Sequence, residues 1–296
     1  MKYLFEIKLA GKGQVFLFGM ILGIVILGSC EEVGPTIDIS EPQEEINHLA
    51  QIPEVQEKKL LIMEFSGGNC SNCPNGAAAL NNLLDEYGNK IIALTAHMLD
   101  ENNVLAFPAE GAVQDFRLIE NTEHFYGFQG SGIPTAGLDF VKYDNENFIL
   151  LGLSKWPVYA PQRLAVPAAV NLEGEAHREG DVIKAEISIN YTSDVTDGHT
   201  IVAVVMEDGI IDHQIMPDLS LNTSYEHRHI IRRYFTISAG SPVAGAMALK
   251  PAGTQVIRRF ETEIDPQWNL DNCHIVAYVQ NATSKEIWQS VEIEVE

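Results

Sequence analysis

The chain has 296 residues and a formal net charge of −22, from 41 acidic and 19 basic side chains. So acidic a balance excludes non-specific electrostatic binding to nucleic acid or to an anionic membrane surface, and no nucleic-acid partner is expected. The length is that of about two domains.

Residues 1–29 read as a lipoprotein signal peptide. Lys2, Lys8 and Lys12 flank the start of the run "VFLFGMILGIVILGSC", Val15 to Cys30, an apolar core of about fourteen residues with small side chains at its end. A membrane-spanning helix needs about twenty apolar residues. The ending, Leu27-Gly28-Ser29-Cys30, resembles the lipobox of bacterial lipoproteins. That resemblance implies a lipid anchor on Cys30, a membrane partner through that lipid, and a body that works outside the cytoplasm. An ordinary cleaved signal that happens to hold a cysteine is the alternative. Glu31 and Glu32 resemble the surface-export signals of some Gram-negative lipoproteins.

Residues 30–57, rich in acids and with three prolines, show no sustained apolar period and read as an acidic tether. "KKLLIMEFSG" from Lys58 is a buried strand ended by glycines. "NGAAALNNLLDEYG" places Ala77, Leu80, Leu84 and Tyr87 at helical spacing, closed by Gly88. "KIIALTAHM" is a second buried strand ending at His97, at the edge where α/β sites form; His97 either sits near the cysteines or is a surface histidine without a role, and the second is the expectation. Residues 108–126 supply further helix. "PTAGLDFVKYDNENFILLG" gives two strands around Asp144-Asn145, and "LSKWPVYAPQRLA" a helix capped by Ser154 and broken at Pro161. Strand–helix–strand order implies a parallel core with a terminal hairpin. From about Pro167 the helical period stops, and about seven short strands with turn signals predict an all-β sandwich of immunoglobulin-like type. The expected divisions are therefore 58–164 and 165–296.

Cys70-Ser71-Asn72-Cys73 falls where a strand ends and a helix begins. Helix N-terminal amides favour a thiolate there, and the spacing brings Cys73 within reach of a mixed disulfide at Cys70. Three readings stay open: a redox pair, a static disulfide suited to an oxidising compartment, and half of a zinc site. The one further thiol of the mature chain is Cys273, which reads as a buried free thiol on an apolar strand. No metal or cofactor is expected. In "SYEHRHIIRRYF" His227 and His229 share a strand face, with His213 upstream, a conceivable metal site that lacks an acid or thiol spaced to complete it. Arg228, Arg232 and Arg233 either pair with the chain's own carboxylates or meet an anionic partner, and a structural or interdomain role is the expectation.

With Gly132-Ile133-Pro134-Thr135, the C-x-x-C resembles the thioredoxin superfamily over about residues 58–164. The resemblance implies an α/β thioredoxin-like domain and a cis-proline loop at Pro134 against the cysteines. It also implies Cys70 as nucleophile, Cys73 as resolving thiol, and thiol-containing envelope proteins as partners. Two departures stand out. Asn69 occupies the place where thioredoxins usually have tryptophan, and His97 to Gly130 is a long stretch that suggests an inserted segment beside the site. Signal, tether, C-x-x-C domain, "YEHRHIIRRYF" and β-rich end together resemble the outer-membrane-protein-28-related lipoproteins. That implies an outer-membrane, periplasm- or surface-facing lipoprotein without a defined reaction. The competing functional expectation is a surface binding or adhesion module, with surface ligands as partners and a structural Cys70–Cys73 staple.

Overall fold

In chain order the structure has β1 (Glu44–His48), β2 (Leu60–Ser66), α1 (Cys73–Tyr87), β3 (Ile91–Met98), β4 (Arg117–Leu118), α2 (Ile119–Gly127), β5 (Thr135–Leu138), β6 (Leu150–Leu151) and α3 (Trp156–Leu164). It continues with β7 (Val170–Glu179), β8 (Val182–Tyr191), β9 (His199–Glu207), β10 (Ile210–Ile215), β11 (Leu221–His227) and β12 (Ile230–Tyr234). It ends with β13 (Ser241–Val243), β14 (Thr254–Glu263), β15 (Cys273–Asn281) and β16 (Ile287–Glu294). This is a computed structural model, and it describes residues 44–296. The expected signal peptide, the Cys30 anchor and the first part of the tether lie outside the described residues.

β2 and β3 pair in parallel across α1, and β5 joins the other edge of β2 antiparallel. Both central strands are buried at every position and mostly apolar because both their faces are covered. Leu61, Met63 and Phe65 enter one core, while Leu60 and Ile62 enter another beneath Leu80 and Leu83 of α1 and Trp156 and Tyr159 of α3. By the same alternation Glu64 points to the α1 side.

The sheet does not stop there. β12 pairs in parallel with β3 at Ile230 and Thr95, and the Thr95 N–H donates to the His229 carbonyl at 2.6 Å. The strand order runs β16-β15-β9-β12-β3-β2-β5-β6. A separate four-stranded sheet, β1-β14-β8-β7, packs across one core against β9 and β15. β9 is buried on both faces. Ile201, Ala203 and Val205 face the four-stranded sheet; Val202, Val204 and Met206 face the core shared with Met63, Phe65, Phe125 and Phe128.

Several expectations are corrected. The acidic stretch is not all tether: Glu44–His48 is an edge strand antiparallel to β14. All five residues are exposed, so no apolar period marks them. Ion pairs hold them instead, Glu44 with Arg258 at 2.7 Å and Glu45 with Arg259 at 3.2 Å. Further on, the Gln56 and Lys59 amides donate to side chains of Asn171 and Gln289. Helix within 108–126 is confined to α2, from Ile119. α3 has Lys155 rather than Ser154 at its cap and runs through Pro161, because Trp156, Tyr159, Ala160 and Arg163 are all buried and packing overrides the lost backbone bond. β7 to β16 make ten strands, not about seven.

A buried ionic knot joins distant parts. The Asp139 carboxylate meets Lys58 Nζ at 2.8 Å and Arg163 Nε at 2.6 Å, and accepts from the Leu61 N–H. Arg163 reaches on to Glu286 and to the Ile287 carbonyl at the head of β16.

Candidate functional site

β2 ends in Ser66-Gly67-Gly68, and the chain turns through Asn69 into Cys70 and Cys73, the first residue of α1. The glycines are required. A Cβ on Gly67 would stand 2.2 Å from the Leu105 carbonyl oxygen, and one on Gly68 2.9 Å from the Ala109 nitrogen. The long stretch after β3 therefore lies backbone to backbone beside the cysteine loop. Asn69 fastens it: its N–H donates to the Phe107 carbonyl at 2.8 Å and its side-chain amide to the Val104 carbonyl at 3.1 Å.

Cys70 and Cys73 form a disulfide, Cα to Cα 5.4 Å, and each is only 2% exposed. The Ile133 carbonyl oxygen lies 4.0 Å from Cys70 Sγ, and the Ile133–Pro134 peptide is cis. The structure thus brings Cys70, Cys73 and Pro134 together around the start of α1. Pro134 packs against α1 at Gly76, where a Cβ would come 2.8 Å from the proline Cβ.

The residue that sequence reasoning missed is Glu64. Its carboxyl is fully buried, and neither oxygen has a hydrogen-bond partner among the described residues. It lies under α1 at Gly76 and lines, with Cys73, a cavity of about 40 Å³. Burial raises its pKa to about 8, so it holds a proton at neutral pH. The available signal was one acid in an otherwise buried strand, six residues before Cys70.

A family model described as outer membrane protein Omp28 matches residues 122–296. The chain belongs to the Omp28 family. Membership puts this Omp28 protein at the outer membrane. It is similar in fold to HBP35 of Porphyromonas gingivalis, with 15% identity and a TM-score of 0.62 over 82% of this chain and 77% of that one. A domain of the outer membrane lipoprotein Omp28 from Porphyromonas gingivalis aligns at 15% identity with a TM-score of 0.32, over 44% of this chain and 89% of that one. A search of curated proteins finds no match.

In this Omp28 protein the motif "SYEHRHIIRRYF" is not one strand. His227 ends β11 and is buried, whereas His229 lies beyond it with φ 58° and its Nδ1 3.3 Å from Asp208, so the two share no strand face. His213, on β10, contacts the Glu110 carbonyl at 2.7 Å. His97 is buried, not on the surface; it lines the Glu64–Cys73 cavity with Tyr225, His227 and His229. Burial holds His97 at about 3 and His227 at about 4, so both rings are neutral there. Among the described residues no cluster of His, Cys, Asp or Glu is spaced to hold a metal ion. Arg228 pairs with Asp208 and Glu226, and Arg232 with Glu207, while Arg233 donates to the Glu263 carbonyl and covers Trp268. Cys273 is buried and free, its thiol pushed up to about 12 by burial.

Proposed function

We propose that this outer-membrane protein is held by lipid on Cys30 and that its Cys70–Cys73 pair exchanges disulfides with thiol-containing envelope proteins. On this reading residues 58–164 are a thioredoxin-like domain and 165–296 an immunoglobulin-like sandwich. The parallel β2–β3 pair across α1 supports the first part, and the two sheets sharing one core support the second. The observation that carries the proposal is the protonated, unpartnered Glu64 carboxyl on the same cavity as Cys73.

The step runs as follows. A substrate thiolate attacks Cys70 Sγ, the Cys70–Cys73 bond breaks, and Cys73 leaves as thiolate. Glu64 supplies the proton that makes Cys73 a thiol. A second substrate thiolate then attacks the substrate sulfur of the mixed disulfide and releases Cys70 as thiolate; the two protons given up by the substrate thiols restore the Glu64 carboxyl and protonate Cys70. The substrate dithiol is oxidised and the pair is reduced.

The test is the reduction potential of the pair in the full-length protein, by glutathione equilibration and mass spectrometry of alkylated thiols. A value between about −270 and −120 mV, the range of exchange catalysts, supports exchange; one below about −300 mV marks a structural bond. The burial of both cysteines favours a second reading, a binding lipoprotein in which the bond is a staple. In that case Cys70→Ser lowers stability and changes no exchange rate.

A further inference from the structure

The segment between β9 and β12 leaves the large sheet. β10 and β11 pair with each other in a sheet of their own. The arm they form departs at Gly209, φ 69°, and returns at His229, φ 58°, so that left-handed residues stand on both sides of its base. Asp208 fixes that base by accepting the His229 N–H at 2.6 Å.

From this base the arm folds onto the cysteine loop. The Ile215 N–H donates to the Gly68 carbonyl at 3.0 Å. The buried Gln214 amide donates to the carbonyls of Cys70 at 3.0 Å and Gly67 at 3.3 Å. The Asp212 carboxylate accepts the Val113 and Gln114 N–H groups at 2.8–3.1 Å. The arm therefore also fastens the segment that flanks Gly67 and Gly68 from the other side. The bonds to the cysteine loop are neutral and few, the kind water replaces at small net loss; the firmer holds are the Asp212 carboxylate on the flanking segment and the packing of Ile210 and His227 on Phe116. The ladder from β9 to β15 and β12, by contrast, is long and buried.

We propose that the β10–β11 arm is a cover over the disulfide, hinged at Gly209 and His229 and latched by Gln214. A polypeptide thiol reaches Cys70 Sγ only when the arm lifts. The purpose of the cover rests on the exchange reading above, but its existence is a question of access and is tested as one.

The full-length protein is reduced and alkylated with a maleimide carrying a polyethylene glycol chain, and modification of Cys70 is followed by peptide mass spectrometry. Gln214→Ala removes both of its bonds to the loop and should raise that rate at least about fivefold, the population change expected for losing the net contribution of even one neutral hydrogen bond; an unchanged rate overturns the cover. Amide exchange in the wild-type protein gives a second readout that needs no variant. Val113, Gln114 and Ile215 should exchange together and faster than Ala203 and Val204 of β9; equal protection overturns the cover. Faster alkylation combined with a potential below about −300 mV keeps the cover and removes the exchange reading. Unchanged alkylation with a potential in the catalyst range does the reverse.

Discussion

Glu64 Oε1 occupies the space that a side chain on Gly76 would need: an ideal Cβ there would stand 2.1 Å from it. A glycine inside α1, ordinarily unfavourable by about 1 kcal/mol relative to alanine, is the condition for placing a carboxyl beneath the cysteine pair. It also lets Pro134 approach the helix, so one missing methyl group accommodates two features of the site.

Gly76→Ala should therefore destabilise the protein despite the gain in helix propensity. The added methyl meets the Glu64 carboxyl and the Pro134 ring in a filled space, and overpacking of this kind costs about 1–3 kcal/mol. Urea unfolding at pH 7 measures it, and equal or greater stability would contradict the packing described.

Glu64 sets a pH dependence of opposite sign to an ordinary ion-paired acid. Its ordinary pKa is 4.5, and burial raises it to about 8 in the folded chain. The unfolded chain gives up the proton first, so stability falls as pH rises from about 4.5 to about 8 and then levels. Glu64→Gln does not titrate. Its stability relative to wild type should grow across that window, by on the order of a few kcal/mol, when urea midpoints are compared at pH 5 and pH 8. On the exchange reading the same variant slows reduction of the pair by about a hundredfold, the scale of a lost general acid.

The buried histidines act at the acid end. His97 is held at about 3, and His124 and His227 at about 4, first by burial. In the unfolded chain each takes a proton near 6.5, while the folded chain stays neutral, so stability is lost as pH falls from about 6.5 toward 4. His227→Gln should flatten that loss by about 1 kcal/mol per pH unit, read from the slope of unfolding free energy against pH.

Asp139→Ala should be the most damaging single substitution among the charged residues. It leaves Lys58 and Arg163 buried beside one another without their shared carboxylate. Breaking such a knot from one side costs about 3–5 kcal/mol, and thermal or urea unfolding reports it directly.

The strands and helix that frame the cysteines were legible because each carries its own period: the apolar runs of β2 and β3, the spaced leucines of α1, the polar turn between β15 and β16. Gly-Ile-Pro-Thr, sixty residues downstream, carried no signal of its own beyond a resemblance; in the structure its Ile133 carbonyl lies 4.0 Å from Cys70 Sγ. Glu64 was not legible, since one acid in "LLIMEFS" reads as a strand's polar position until the face it occupies is known to be covered by α1. β1 was hidden because its partners are arginines on β14, more than two hundred residues away. The arm was hidden for a related reason: a motif read as one strand is divided at His229, where the backbone turns left-handed under the hold of Asp208.

The two-faced burial of β9 bears on how such a chain is made. Met63, Phe65, Phe125 and Phe128 are covered by Val202, Val204, Met206 and Tyr278, residues synthesised long after them. A chain exported from its N-terminus delivers the cysteine-bearing segment first, with that apolar face bare. It stays bare until β9 and β15 have also crossed the inner membrane. A product truncated at residue 164 should therefore leave that face uncovered and collect in aggregates.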